Sequence, residues 1–226
     1  MEFKWSVVFE YRDILLLGIV RTAEIFAVST VLSLLLGTLI GMLRTSQKLL
    51  LRQLGGLYVE VFRNIPVLIQ MMFFYFAIGL HSFWAAVIGL SLYTGGYIAE
   101  TVRSVITAVA RGQKEAALAS GLSTLQAHGS IVLPQAFMYA IPPLTTELLN
   151  ILKNSSVAMV VGVQDLTFTA REIETATFRG VEAAATVTVL YIALSAVIIG
   201  SVGILERILG VRAKLGERGR RSEIEE

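Results

Sequence analysis

The fold class this sequence predicts is an all-α integral membrane protein with five transmembrane helices, and three observations carry that expectation. Hydrophobic residues make up 55% of the 226, charged residues only 16%, and the mean hydropathy is +0.71; a soluble domain carries about 25% charge. Residues 25–43 and 183–205 contain no Asp, Glu, Lys, Arg or His, and each is long enough to cross a hydrocarbon core, which takes about 20 apolar residues. Between the third and fourth hydrophobic spans stands KEAALASGLSTLQAHGSIVLPQ (114–135), a soluble-looking helical segment.

The N-terminal segment 1–24 mixes Phe3, Trp5, Phe9 and Tyr11 with Glu2, Lys4, Glu10, Arg12 and Asp13. That mixture suits a stretch lying in the membrane interface, and a frayed flank of the first span fits equally. It is not a removable signal, because the apolar run behind it is too long for a signal core and lacks a small-residue cleavage site. Residues 64–99 hold one ionisable group, His81, and make two spans only if each borrows from its flank, YVEVFR before and AETVR after. The break between them falls at GLHSF (79–83). The fourth span, 139–163, is the least apolar, because it holds Pro142, Pro143, Glu147, Asn150, Lys153 and Asn154. Residues 183–205 are the fifth, and 211–226 form a solvated tail. The transmembrane domain is thus 25–210.

Orientation follows from the flanking Lys and Arg. With the N-terminus outside and the C-terminus inside, segments 44–63, 103–138 and 205–226 are cytoplasmic and hold thirteen of the nineteen basic residues. The 114–135 segment is then cytoplasmic, and local chemistry makes it two short helices. QKEAALAS is a strong helix former, Gly121 stands where a helix commonly ends in a left-handed residue, and Ser123 and Gln126 have capping-box spacing. Gly129 and Pro134 are expected to end the second helix before the fourth span. The first helix exposes mainly alanine, which lets another backbone approach closely; a loop helix resting on the membrane is the plainer reading.

The residues carry more than the periodicity. Glu115, Ala116, Ala117, three residues, Gly121, nine residues, Ile131, one residue, Leu133 and Pro134 together resemble the EAA motif, E-A-A-x3-G-x9-I-x-L-P, of ABC-importer permeases. YVEVFRNIPVLIQMMFFYFAIG (58–79), RGQKEAALASGL (111–122) and LLNILKNSSVAMVVGVQDLT (148–167) resemble the polar amino-acid branch of those permeases, of histidine, glutamine and glutamate/aspartate type, with the last the nearest likeness. The likeness spans about 25–210 and departs in the short connection near His81, where some relatives carry an insert. It implies the type I ABC-importer permease fold and an EAA coupling loop (111–136) that docks in a cleft of a cytoplasmic ATPase subunit. The implied partners are a second permease subunit, identical or related, two ABC ATPase subunits and an extracytoplasmic amino-acid-binding protein, at a bacterial inner membrane. The implied cargo is a polar, acidic amino acid such as glutamate or aspartate.

Other chemistries are not indicated. The chain has no cysteine and a net charge of +2, which excludes thiol chemistry and gives no footprint for nucleic acid. His81 and His128 lie in no metal-ligand cluster, and no third group orients a hydrolase triad beside His128. GLSTLQAHG lacks a GK[ST] phosphate loop, so ATP is expected to be bound by partner subunits, with no catalytic residue, metal or cofactor in this chain. A self-sufficient ion-coupled carrier is the rival reading, but it calls for an internal repeat, and none is found.

Candidate substrate-path residues come from the fourth span. At 100° per residue Glu147, Asn150, Lys153 and Asn154, with Thr146, share an arc of about 120°. The stripe either joins helices through neutralised charges and amide bonds or lines a path in which Lys153 faces the carboxylates of an anionic amino acid. Glu60 with Arg63, and Glu100 with Arg103, are i,i+3 pairs at corresponding span ends, read as anchors or as parts of a gate. Pro142 and Pro143 are expected in the first turn of the fourth span, Pro66 at the start of the second, and Gly37-x-x-x-Gly41 suits close packing of the first.

Overall fold

The computed structural model describes residues 5–109 and 111–210, and all regular structure among them is helical. After α1 (Ser6–Glu10), α2 (Arg12–Arg44) runs unbroken for 33 residues, about 50 Å at 1.5 Å per residue. The interfacial segment and first span expected from the sequence are thus one helix from Arg12 onward. Its early charges stay on its surface, where Arg21 pairs with Glu24 at 2.7 Å. Residues 1–4 and the tail 211–226 lie outside the described residues.

The buried edge of α2 includes Ile25, Ser29, Ser33, Gly37 and Gly41, one residue about every turn. It packs along α5 (Ser82–Ala108), the principal helix pair of the bundle. The two glycines make this approach possible. A Cβ at residue 37 would lie 2.6 Å from the Cβ of Ile98 and 2.9 Å from the Gly95 carbonyl oxygen. One turn on, a Cβ at residue 41 would lie 2.8 Å from the Ala99 carbonyl oxygen.

The second span is an elbow rather than a rod. α3 (Leu49–Asn64) and α4 (Val67–Met72), which continues through a π-helical turn Phe73–Ala77, meet at 98°. Pro66 causes the break: it has no N–H to give, and it holds the preceding Ile65 extended at φ −93°, ψ 124°. Gln70 closes the open helix end, its Nε2 donating to the carbonyls of Phe62 at 2.8 Å and Ile65 at 2.9 Å. The turn to α5 is where GLHSF places it, with Gly79 at φ +78° and His81 capping the next helix.

α6 (Arg111–Ala119) and α7 (Thr124–Ala127) form the inserted loop. Gly129 and Pro134 do not terminate the second of these helices. A π-helical turn, His128–Val132, leads directly into α8 (Leu133–Ser155), because a proline in a first turn removes no bonded donor. Pro134 takes that place. Pro142 and Pro143, expected there, lie inside the helix instead.

α8 ends in a 3-10 segment, Ser156–Val161, and Gly162 at φ +83°. Asp165 then caps α9 (Leu166–Thr177), a helix the sequence reading did not separate, by accepting from the Phe168 N–H at 2.9 Å. Burial pushes the Asp165 carboxyl up to about 6. α10 (Gly180–Ile208) packs through its N-terminal half, burying Glu182, Ala183, Thr186 and Val187 and laying Leu190, Tyr191 and Leu194 against the same core, with the Tyr191 hydroxyl donating to Asp165 Oδ2 at 3.3 Å. The core gathers Ile25, Met71, Val87, Leu90, Ile151 and Val161. By length and composition α2, α5 and α10 can cross a membrane, and a fourth crossing counts if the bent α3–α4 pair is one broken span.

Candidate functional site

The EAA residues fold into a helix–turn–helix projecting from one end of the bundle. Helix α6 closes with Gly121 in the left-handed region at φ +85°; its N–H donates to the Leu118 carbonyl and the Leu122 N–H to the Ala117 carbonyl. Those two bonds make a Schellman ending. Helix α7 opens with a reciprocal capping box: the Ser123 N–H donates to Gln126 Oε1 at 2.9 Å, and the Gln126 N–H to Ser123 Oγ at 3.3 Å.

Ala117 is buried, whereas Glu115, Ala116 and Gly121 face outward, and no atom stands within 4 Å of a Cβ built at 121. Ile131 is half-buried, and Leu133 and Pro134 are exposed at the base of the loop. The loop is tied down by Gln135, whose Nε2 donates to Gln113 Oε1 at 2.6 Å, and by a small apolar patch of Val109, Val132 and Ala136. The arrangement is a knob in which Ala117 is the one buried position among the described side chains of α6 and the rest are open.

The polar stripe of α8 is divided. Glu147, Asn150 and Asn154 are half-buried, with Asn150 Nδ2 donating to Glu147 Oε2 at 3.4 Å, while Thr146 and Lys153 are exposed on the flank of the chain. Lys153 stands in the last turn of α8, where an ammonium complements the open carbonyls of a helix end, and its exposure leaves it free to meet water or a protein neighbour.

The two i,i+3 pairs behave differently. Glu100 accepts from Arg103 Nε at 3.1 Å and also takes Arg44 from the end of α2, so one carboxylate holds two guanidinium groups. Arg63 makes no ion pair with Glu60. Its guanidinium lies over the Tyr97 ring, 4.6 Å from the centroid, and its Nε is buried with no hydrogen-bond partner among the described residues. Arg44, Glu60, Arg63, Tyr97 and Glu100 line a cavity of about 460 Å³, and Glu147 is within electrostatic reach of Arg63. Sequence reasoning missed this cavity. Its walls come from α2, α3 and α5, and no spacing along one helix reveals an Arg that turns away from its i−3 partner toward a ring on another.

The family of binding-protein-dependent transport system inner membrane components matches residues 33–210. The glutamate/aspartate import permease protein GltJ of Escherichia coli is 31% identical over 204 residues, covering 82% of this chain and 83% of that protein. The glutamine transport system permease protein GlnP of Escherichia coli is 31% identical over 205 residues, covering 88% and 94%. The arginine transport system permease protein ArtQ of Bacillus subtilis is 31% identical over 188 residues, covering 80% and 86%. Among solved structures, an amino acid ABC transporter crystallised with histidines superimposes with a TM-score of 0.86 at 26% identity, over 92% of this chain and 99% of that one.

Proposed function

The chain belongs to the family of binding-protein-dependent transport system inner membrane components, and from that premise we propose what it carries and how it is driven. It is an amino-acid permease subunit of an ABC importer. Its cargo is a polar, acidic amino acid, glutamate or aspartate; relatives named for glutamine and arginine share the frame, so the acidic preference rests on the likeness to the glutamate/aspartate type and on Lys153. Two permease subunits, identical or related, form the path across the bacterial inner membrane, with the N-terminus outside, the C-terminus inside and five crossings per chain. Residues 25–210 form that transmembrane domain, flanked by the interfacial segment 1–24 and the cytoplasmic tail 211–226.

The observation that carries this reading is the EAA order folded as a knob that exposes Glu115, Ala116 and Gly121. A small-residue helix face allows close backbone approach, and the left-handed glycine sets the angle between α6 and α7. Closure of two ATPase subunits around bound ATP pulls the paired knobs together and opens the path outward. The binding protein then delivers its cargo, and hydrolysis resets the inward-facing state. The alternation is two-state, driven by partners that bind one state better than the other.

The test is co-purification with the ABC ATPase subunit of the same transporter, with coupled ATPase activity measured alongside. Glu115→Lys reverses an exposed charge of the knob, and Gly121→Pro forbids φ +85°. Each is expected to cut ATPase association and coupled turnover by at least tenfold, and unchanged assembly in both removes the docking role. The cargo path has its own test. Lys153→Ala is expected to lower glutamate uptake about tenfold, the scale of one charge-assisted hydrogen bond, with insertion and ATPase association intact. Wild-type uptake by that variant takes Lys153 out of the path.

A further inference from the structure

We propose that Arg63, held flat on the ring of Tyr97, receives the α-carboxylate of the transported amino acid, and that Glu60 on the same cavity supplies charge for its α-ammonium. The proposal rests on the importer reading and adds to it a head-group site that does not involve the stripe of α8.

Three observations lead there. The cavity of about 460 Å³ lined by Arg44, Glu60, Arg63, Tyr97 and Glu100 is within the range of small-molecule sites, about 300–1,000 Å³. The cations in and beside it are unequally committed. Arg44 and Arg103 both pair with Glu100, whereas Arg63 has no ion pair within 4.0 Å among the described residues and keeps a buried Nε without a hydrogen-bond partner there. A buried donor left unmatched is costly, and a carboxylate is the acceptor whose two oxygens fit a guanidinium fork.

The side chain is also held in place for that task. Its guanidinium lies 4.6 Å from the Tyr97 centroid, and stacking on an aromatic face fixes the plane of the fork while leaving its edge free. Gly96 makes room for its stem, since a Cβ at residue 96 would fall 2.9 Å from Arg63 Cγ. The elbow at Pro66 ends α3 at Asn64, so Arg63 sits in the last turn before the bend. A site that grips the α-carboxylate and α-ammonium is indifferent to the charge of the side chain. Selection among acidic, neutral and basic amino acids then falls to other groups, Lys153 among them.

The test uses the whole transporter, this chain with its co-expressed permease and ATPase subunits, purified without the binding protein. Calorimetric titration compares L-glutamate, L-glutamine and L-arginine with their α-carboxamides. The wild-type complex is expected to prefer at least one of the acids over its amide by tenfold or more. Arg63→Gln should weaken that acid at least tenfold and leave the amide nearly unchanged, so that the preference collapses. Arg63→Lys, which keeps charge without the fork, should fall between.

An Arg63→Gln complex that keeps the full preference, or that loses acid and amide equally, overturns the proposal. If that variant does not assemble, Tyr97→Leu removes the platform and keeps the charge, and it should reduce the preference severalfold; an unchanged preference is again fatal. A wild-type complex that binds none of the three acids and imports none of them counts against amino-acid import itself, and so fails separately from the role of Arg63.

Discussion

Replacing Gly37 with valine is expected to separate the central helix pair and leave little folded protein. A Cβ at this position meets the Ile98 side chain at 2.6 Å and the Gly95 carbonyl oxygen at 2.9 Å. A rotamer change would move the Ile98 Cγ2 but not its Cβ, and the Gly95 carbonyl belongs to the backbone of α5, so both contacts are relieved only if the helix moves. Overpacking of a filled interface costs about 1–3 kcal/mol per site, and the two branches of valine place this change at or beyond the upper end. Gly41→Val meets the same kind of obstacle at the Ala99 carbonyl, and the double variant should not assemble.

Gly200→Val and Gly203→Val on α10 are the controls, because nothing lies within 4 Å of a Cβ at either position. They should melt within a degree or two of wild type in detergent, while Gly37→Val loses ten degrees or more. Equal melting of all four variants would show that α2 and α5 do not pack this way.

The second large effect is expected at Gln70. Its amide nitrogen donates to both carbonyls that the break at Pro66 leaves open, Phe62 and Ile65, and the residue is only 4% exposed. Gln70→Leu deletes two hydrogen bonds worth about 0.5–1.5 kcal/mol each. It also removes a buried carbonyl oxygen that has no partner among the described residues, which offsets part of the loss. A net destabilisation of about 1–2 kcal/mol follows. Gln70→Glu should be worse, because an ionised carboxyl would set negative oxygens against the two carbonyls.

The elbow can be followed directly. The chain has no native cysteine, so spin labels at Leu57→Cys and Phe76→Cys, both at exposed positions on opposite arms, report its angle. The distance distribution should be narrow in the parent and broad with Gln70→Leu. A narrow, unshifted distribution in the variant would mean that Pro66 alone holds the bend.

These two residues mark the difference between what is legible along a chain and what is not. The composition, the apolar runs and the EAA spacing depend only on sequence order, and they led to the membrane class, the family and the knob. The Schellman ending at Gly121 and the capping box of Ser123 and Gln126 were equally legible, because each closes within six residues. The prolines show the limit of local rules. By local rules Pro66, Pro142 and Pro143 look like helix starts and Pro134 like a helix end, yet the first makes a 98° elbow, Pro134 begins α8 and the other two lie inside it. Proline states only that a donor is missing, and the neighbouring helices decide which bend the core will accept.

The cavity belongs wholly to the tertiary level. Glu60 and Arg63 have the spacing of an ion pair, but Tyr97 on α5 offers Arg63 a flat apolar face, while Arg44, fifty-six residues before Glu100, takes part of that carboxylate. Sequence order was sufficient at Gly121 and at Ser123 with Gln126, whose partners lie within one turn, but not at the Asp165 cap of α9. The orientation of a long charged side chain is set by whatever surface folding brings within its reach, and for Arg63 that surface is on another helix.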